Sequence, residues 1–355
     1  MDKNKPYNKL PLLPPSTKVW EQIEVYKVLA GARAALAELK GRCPVIPNPY
    51  MLINTLVLQE AKDSSSIENI FTTSDKLYRA FASSMVAADP QTKEVLRYRQ
   101  ALLTAWESLK KSDFSVSVME NIYREIKEKD DGVRDNEVYI GNAFEIIYTP
   151  PCCKDVLLEK LNNWIDFAKS DDAIDPLIKM AILHYQFEAI HPFSDGNGRT
   201  GRVLNVLFLS KLELLDYPIL YLSKYINTYK SDYYRLLREV TTSGKWTEWI
   251  IYLLTSIKET AVYTLKKVNA IYELFQQTLQ KVQNDAPHVY SYELVSLLFE
   301  QPYCKIAFLV NRDIASRNTA SKYLGELVKI GILKKEQSGS ESLYVNQKLY
   351  QLLQQ

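Results

Sequence analysis

The sequence predicts a mainly α-helical protein. Apolar residues recur at helical spacing along most of the chain, capping residues stand before those runs, and strand-like alternation is confined to a few short stretches. Ser16 or Thr17 can cap a helix over about 20–39, with Gly41 past its end. Asn48 then Pro49 is a second start signal, and the helix continues over about 50–61. Asp63-Ser64-Ser65-Ser66 reads as a polar interruption. Helices follow at about 93–109 and 116–128. Residues 137–140 and 144–148, joined by the turn-like Gly141-Asn142, read as a short hairpin that Pro150-Pro151 stops. Helices resume at 155–168, at 176–190 with Asp175 as cap and Pro176 at the first position, and at 199–212. Residues 271–287 read as a connecting helix and linker. Helices at 291–299, 306–310 and 317–330 then precede strands at 332–335 and 342–345, which flank the turn 337–340. Three helices and a two-stranded ribbon are the layout of a winged helix. Three units are therefore expected: a helical N-terminal domain over 1–110, a core over 111–260, and a linker helix with winged helix over 261–355.

Composition bounds the function. A chain of 355 residues, 46% hydrophobic and 24% charged, suits a soluble globular protein of two or three domains. Forty-four basic residues against 42 acidic ones leave a net charge of +2, which gives no global case for nucleic acid or membrane binding. Residues 1–15 are polar and contain prolines, so no signal peptide is expected there, and the strongest apolar run, 249–257, is too short to span a bilayer. Four cysteines form neither a disulfide framework nor a metal-ligand pattern, and three histidines exclude a polyhistidine centre. A reduced, cytoplasmic protein is the expectation.

The stretch His191-Pro192-Phe193-Ser194-Asp195-Gly196-Asn197-Gly198-Arg199-Thr200-Gly201-Arg202 concentrates the chemistry. Pro192 turns the backbone after His191. Gly196 and Gly198 permit a tight loop whose amides converge on an anion, and the following helix aims its N-terminus at the same spot. Arg199 and Arg202, three apart, can both reach that anion. Asp195 supplies one hard oxygen, which suits Mg²⁺ shared with nucleotide phosphates. His191 is the natural general base near neutral pH. Phe193 packs inward and locks the loop.

This stretch resembles the signature of the Fic family, His-Pro-Phe-x-(Asp/Glu)-Gly-Asn-Gly-Arg-x-x-Arg, with every fixed position met. The likeness extends along the chain, from the Leu-Pro-Pro segment near the N-terminus to the trailing winged helix. It implies a Fic helical core with a hairpin flap, an N-terminal helical domain and a C-terminal winged helix. The reaction it implies is transfer of AMP from ATP to a tyrosine, serine or threonine hydroxyl of a protein, the chain itself included. His191 would then deprotonate the hydroxyl and Asp195 would bind Mg²⁺. Gly196, Asn197, Gly198, Arg199, Thr200 and Gly201 would surround the phosphates, and Arg202 would hold the γ-phosphate. Related Doc kinases carry lysine where Gly198 stands, so glycine favours nucleotidyl transfer.

Ser64, Glu68 and Asn69 fit the family's inhibitory motif, (Ser/Thr)-x-x-x-Glu-(Gly/Asn). A glutamate paired with Arg202 would place negative charge where the γ-phosphate must sit. The hairpin resembles the Fic flap, whose edge registers a target segment by strand addition; Val138, Tyr139, Ile140, Gly141, Ile147 and Tyr148 are its candidate docking residues. Tyr229 and Tyr234 are candidates for the adenine site, although relatives often have asparagine near Tyr229. Other readings stay open. One is a DNA-binding regulator that uses Arg317, Asn318, Thr319, Ser321, Lys322 and Tyr323 of the third winged-helix helix, with Lys334 and Lys335 on phosphates. Another is removal of AMP by the same site. The expected partners are ATP and a protein bearing the hydroxyl, with a second copy of the chain and DNA left open and no membrane.

Overall fold

The computed structural model describes residues 2–83, 88–141, 144–338 and 341–354. Its elements are α1 (Ile23–Arg42), α2 (Tyr50–Ile67), α3 (Ser74–Ala82), α4 (Pro90–Leu109) and α5 (Val116–Lys127), then the hairpin β1 (Ile140–Gly141) and β2 (Ile146–Tyr148). After it come α6 (Lys154–Lys169), α7 (Pro176–Ile190), α8 (Asn197–Lys211), α9 (Leu222–Thr228), α10 (Lys230–Ser243) and the long α11 (Trp246–Asp285). The C-terminal part is α12 (Tyr292–Glu300), β3 (Tyr303–Cys304), α13 (Ile306–Asn311), α14 (Arg317–Lys329), β4 (Lys334–Ser338), β5 (Glu341–Val345) and α15 (Gln347–Gln354).

Helix α7 is the centre of the molecule. Its apolar residues are spread around the whole circumference, and every residue from Leu177 to Phe187 is buried, as a helix without a distinct polar face requires. The indoles of Trp164 and Trp249 donate to the carbonyls of Leu183 and Ala181, each at 2.8 Å, and so fix α6 and α11 against it. α8 packs on α7, with α2, α4 and α5 around it, while α11 lies along α1. The N-terminal segment straps the hairpin: Tyr7 N donates to Thr149 O (3.1 Å) and Cys152 N to Asn8 Oδ1 (2.8 Å).

Several boundaries differ from expectation for physical reasons. The first helix starts at Ile23, because Thr17–Val19 forms a 3₁₀ turn closed by Trp20. It runs past Gly41, since Arg42 bonds Asn269 of α11 (2.6 Å). Asp63–Ser66 is helix and not an interruption: Ser64 and Ser65 are fully buried, and Ser64 accepts from Arg202. α3 was not expected, although Thr73 caps it through Lys76 N (3.2 Å). α4 begins at Pro90 behind Asp89, the same Asp-Pro signal that starts α7. The last sheet has three antiparallel strands in the order β3-β5-β4, so the expected ribbon gains a strand, and α15 closes it.

The expected connecting helix over 271–287 is the end of α11, which continues to Asp285. On α14, Arg317, Asn318, Ser321 and Lys322 are exposed. Asn142 of the expected flap turn and the Gly339-Ser340 tip lie outside the described residues. Among the described residues no helix is long and apolar enough to cross a membrane.

Candidate active site

His191 terminates α7 in the left-handed region (φ 50°), its N donating to Phe187 O (3.0 Å). A non-glycine residue pays for such a conformation only where its surroundings enforce it. Here the enforcement comes from Arg134, which sequence reasoning missed. Its Nε donates to His191 O (2.9 Å), its Nη1 to Asn136 O (2.6 Å) and its Nη2 to Pro151 O (2.7 Å). Its backbone N donates to Pro192 O (3.0 Å). One guanidinium thus ties the turn at His191 to the segments that flank the hairpin. Burial, with help from the Arg134 charge, pushes the His191 imidazole down to about 4. The ring is neutral at pH 7, and its Nδ1 is buried without a hydrogen-bond partner among the described residues.

The loop behind His191 is stapled internally. Phe193 stacks on Tyr123 with centroids 4.3 Å apart, and Asn197 Oδ1 and Nδ2 bond the N and O of Phe193, each at 2.8 Å. The Asn197 side chain is therefore engaged in shaping the loop. Gly196, at φ 72°, caps α8. Asn197 begins that helix, two residues earlier than expected, so Gly198, Arg199, Thr200 and Gly201 make up its first turn. Thr200 and Gly201 are buried within the core, a β-carbon at Gly201 meeting Glu188 Oε1 at 2.8 Å.

The charged groups are already paired. Arg202 is 1% exposed; its Nε donates to Ser64 Oγ (2.8 Å), and its Nη2 to Ser64 O and Glu68 Oε1 (2.9 Å each). Burial opposes the Arg202 charge, but Glu68, together with Tyr233, Glu188 and Tyr98, outweighs it and holds the guanidinium above its ordinary range. Gly198 is needed because a β-carbon there would collide with Glu68 Oε1. Glu68 caps the C-terminus of α2 and Asn69 follows at φ 61°, a left-handed position that favours Gly or Asn. This accounts for the last position of the inhibitory motif. Arg199 Nη1 pairs with Glu94 (2.5 Å), and Lys127 Nζ with Asp195 Oδ2 (2.7 Å). Partial burial would raise the Asp195 carboxyl, but the Lys127 bond and charge, with the Gly196 amide and the Arg199 charge, outweigh it and hold it below its usual value.

A cavity of about 470 Å³ is lined by Glu68, Glu188, His191, Gly198 and Arg202, whereas Asp195, Asn197 and Arg199 lie outside its lining. Ile140, Gly141, Ile147 and Tyr148 of the hairpin and Tyr233 and Tyr234 of α10 also line it. The hairpin is shorter than expected, pairing Ile140 with Tyr148 and Gly141 with Ile146. Val138 and Tyr139 lie outside its strands and away from the cavity lining. Tyr148 anchors the flap by donating to Ala189 O (2.8 Å). Tyr234 lines the cavity, whereas Tyr229 lies outside it against Tyr225, ring centroids 4.6 Å apart. Tyr233 is buried, its hydroxyl 2.9 Å from His184 Nε2.

Glu188, one turn before His191, was also missed. Burial pushes its carboxyl up to about 7, and Oε1 is without a partner among the described residues. No spacing signal could have found Arg134, Glu94 or Lys127. Glu188 precedes His191 by three on the same helix and could have been inferred from that spacing.

Asp195 offers one half-exposed carboxylate, its Oδ1 accepting from Gly196 N (2.6 Å) and its Oδ2 paired with Lys127. No group of three or more His, Cys, Asp or Glu side chains is arranged to hold an ion among the described residues. That donor set fits a divalent ion shared with phosphates and not an all-protein cage.

The helical core that holds this loop has the Fic fold, which a solved Fic family protein shares. Three family descriptions match in chain order: Fic/DOC family N-terminal over residues 26–107, Fic/DOC family over 113–209, and the SoFic-like protein adenylyltransferase C-terminal domain over 274–349. The chain belongs to the Fic/DOC family. It is 36% identical over 81 residues to protein adenylyltransferase fic-1 of Caenorhabditis briggsae, covering 22% of this chain and 15% of that protein. It is 33% identical over 107 residues to protein adenylyltransferase Fic of Drosophila mojavensis, covering 30% and 19%. With the probable protein adenylyltransferase aq_aa38 of Aquifex aeolicus it shares 35% identity over 96 residues, covering 27% and 29%. The chain thus spans less than a third of the length of each of these relatives.

Among solved structures, a Fic family protein from Desulfovibrio desulfuricans G20 superposes with a TM-score of 0.57 at 18% identity, over 94% of this chain and 98% of that one. Fic-1 from C. elegans gives 0.51 at 19% identity, over 69% and 72%. Both likenesses are of fold.

Proposed function

We propose that this protein transfers AMP from ATP, with Mg²⁺, onto a tyrosine, serine or threonine hydroxyl of a protein, itself included, and that Glu68 restrains the reaction. The observation that carries the reading is one cavity lined both by a neutral imidazole and by a buried arginine already engaged by a carboxylate. The hydroxyl oxygen attacks the α-phosphorus, its proton passes to a ring nitrogen of His191, and the bond to pyrophosphate breaks. Mg²⁺ held by Asp195 and the phosphates would neutralise charge on the polyphosphate. Arg134 keeps the His191 backbone in its turn. The α8 amides and the arginines bind the polyphosphate, and the short hairpin edge offers backbone groups to a target strand.

Glu68 restrains the site because a nucleotide reaching Arg202 must displace it. The curated relatives named protein adenylyltransferases support the same chemistry. Four free cysteines suit a reduced cytoplasmic compartment.

The test uses α-labelled and γ-labelled ATP with Mg²⁺. Label should reach protein from the α position only and disappear in His191→Ala. Transfer from the γ position, or full labelling by His191→Ala, would overturn the proposal.

A further inference from the structure

The two glycines of the loop are crowded by different cations. At Gly198 the neighbours are Arg202 Nη1 and the Glu68 carboxylate. At Gly196 a β-carbon would lie 3.1 and 3.2 Å from Cδ and Cγ of Lys127, and 3.7 Å from Arg199 Nη2. Lys127 is the last residue of α5, and its stem lies across the bare face of Gly196. Its Nζ is 2.7 Å from Asp195 Oδ2 and 2.9 Å from Glu94 Oε1, and the same Glu94 oxygen takes Arg199 Nη1 at 2.5 Å. Asp195, Lys127, Glu94 and Arg199 form a closed row of alternating charges that sums to zero.

The members of the row differ in exposure, and Asp195 Oδ1 also accepts from the backbone N of its neighbour Gly196 (2.6 Å). The Lys127 side chain is 15% exposed and that of Arg199 1%, whereas Asp195 is 59% exposed. Asp195 is thus the member that solvent, an ion or a ligand can draw away. Once it turns to another cation, Lys127 and Arg199 share the single charge of Glu94. One uncompensated positive charge then lies beside Gly196, whose bare face is covered by the Lys127 stem, so that the ammonium at the end of that stem is held at the loop.

We propose that Lys127 is a further nucleotide-binding residue, an ammonium that holds Asp195 until nucleotide arrives and then binds the polyphosphate on the Gly196 side, opposite Arg202. This rests on the nucleotide-transfer reading above. Three cations would grip the polyphosphate: Arg202 next to Gly198 at one end, and Lys127 with Arg199 next to Gly196 at the other. A lysine kept only to brace α5 against the loop would make no distinction between ligands with and without phosphates.

The experiment measures binding of ATP and of adenosine by calorimetry, with Mg²⁺ and with chelator, on the full chain in the Glu68→Gly background. Lys127→Met should raise the Kd for ATP about tenfold, the worth of one charge-assisted contact. Adenosine binding should be unchanged, and Lys127→Arg should recover most of the loss. Equal ATP affinity in Lys127→Met and its parent overturns the inference and leaves the nucleotide-transfer reading intact. An equal loss for adenosine also overturns it, because the effect is then structural. If the Lys127-containing parent binds no ATP, the reading of the site itself fails and the inference with it.

Discussion

Replacing Glu68 by glycine should raise the initial rate of AMP transfer about 10- to 30-fold. The magnitude follows from the contact that is lost. Glu68 Oε1 meets Arg202 Nη2 at 2.9 Å through a single bond, with Arg202 1% exposed and the Glu68 side chain 33% exposed. Charge-assisted bonds of this kind contribute about 1.5–3 kcal/mol, and the partial exposure of Glu68 places this one near the lower end, about 1.5–2 kcal/mol. Each 1.4 kcal/mol, roughly, is a factor of ten in an equilibrium that ATP must win against the glutamate. Arg202 keeps its two bonds to Ser64 in the variant, so the guanidinium stays in place to meet a phosphate. Glu68→Gln retains an acceptor without the charge and should give roughly half the free-energy gain, about 3- to 5-fold. The assay is incorporation of α-labelled AMP at saturating target and subsaturating ATP. In an Arg202→Ala background the Glu68 substitution should change nothing, since the two act through one contact. A Glu68→Gly rate within twofold of the parent, or the same gain with Arg202 removed, would refute the reasoning.

Arg134 and the buried histidines supply the other expectations. Arg134→Ala strips bonds from the carbonyls of His191, Asn136 and Pro151. It should cost about 3 kcal/mol in urea unfolding and lower kcat more than it raises KM for ATP. An unchanged unfolding midpoint would reject its role in holding the turn. Burial lowers His191 to about 4 and His184 to about 3, below their unfolded value near 6.5. Where His191 protonation governs it, the rate should be flat from pH 6 to 8 and fall as pH drops toward 4. Stability should decline as pH falls below about 6.5, because the unfolded chain then binds protons that the folded chain refuses. An acid limb near pH 6.5 in the rate would show that His191 is not shielded as described.

The sequence by itself determined what lies within one or two turns of backbone. The turn after His191, the glycines that free the loop, the Asp175 cap of α7 and the arginines of α8 were legible because local spacing encodes them. The same local logic misread Asp63–Ser66, since clustered serines look like loop until something buries them. That something is Arg202, 138 residues further on, which bonds Ser64 and keeps the segment helical. Arg134, 57 residues from His191, and Glu94, 105 residues from Arg199, left no mark in any pattern. Charged partners are chosen by which helices pack together, and only the fold of α2, α4, α5 and α8 around one loop brings these opposite charges into contact.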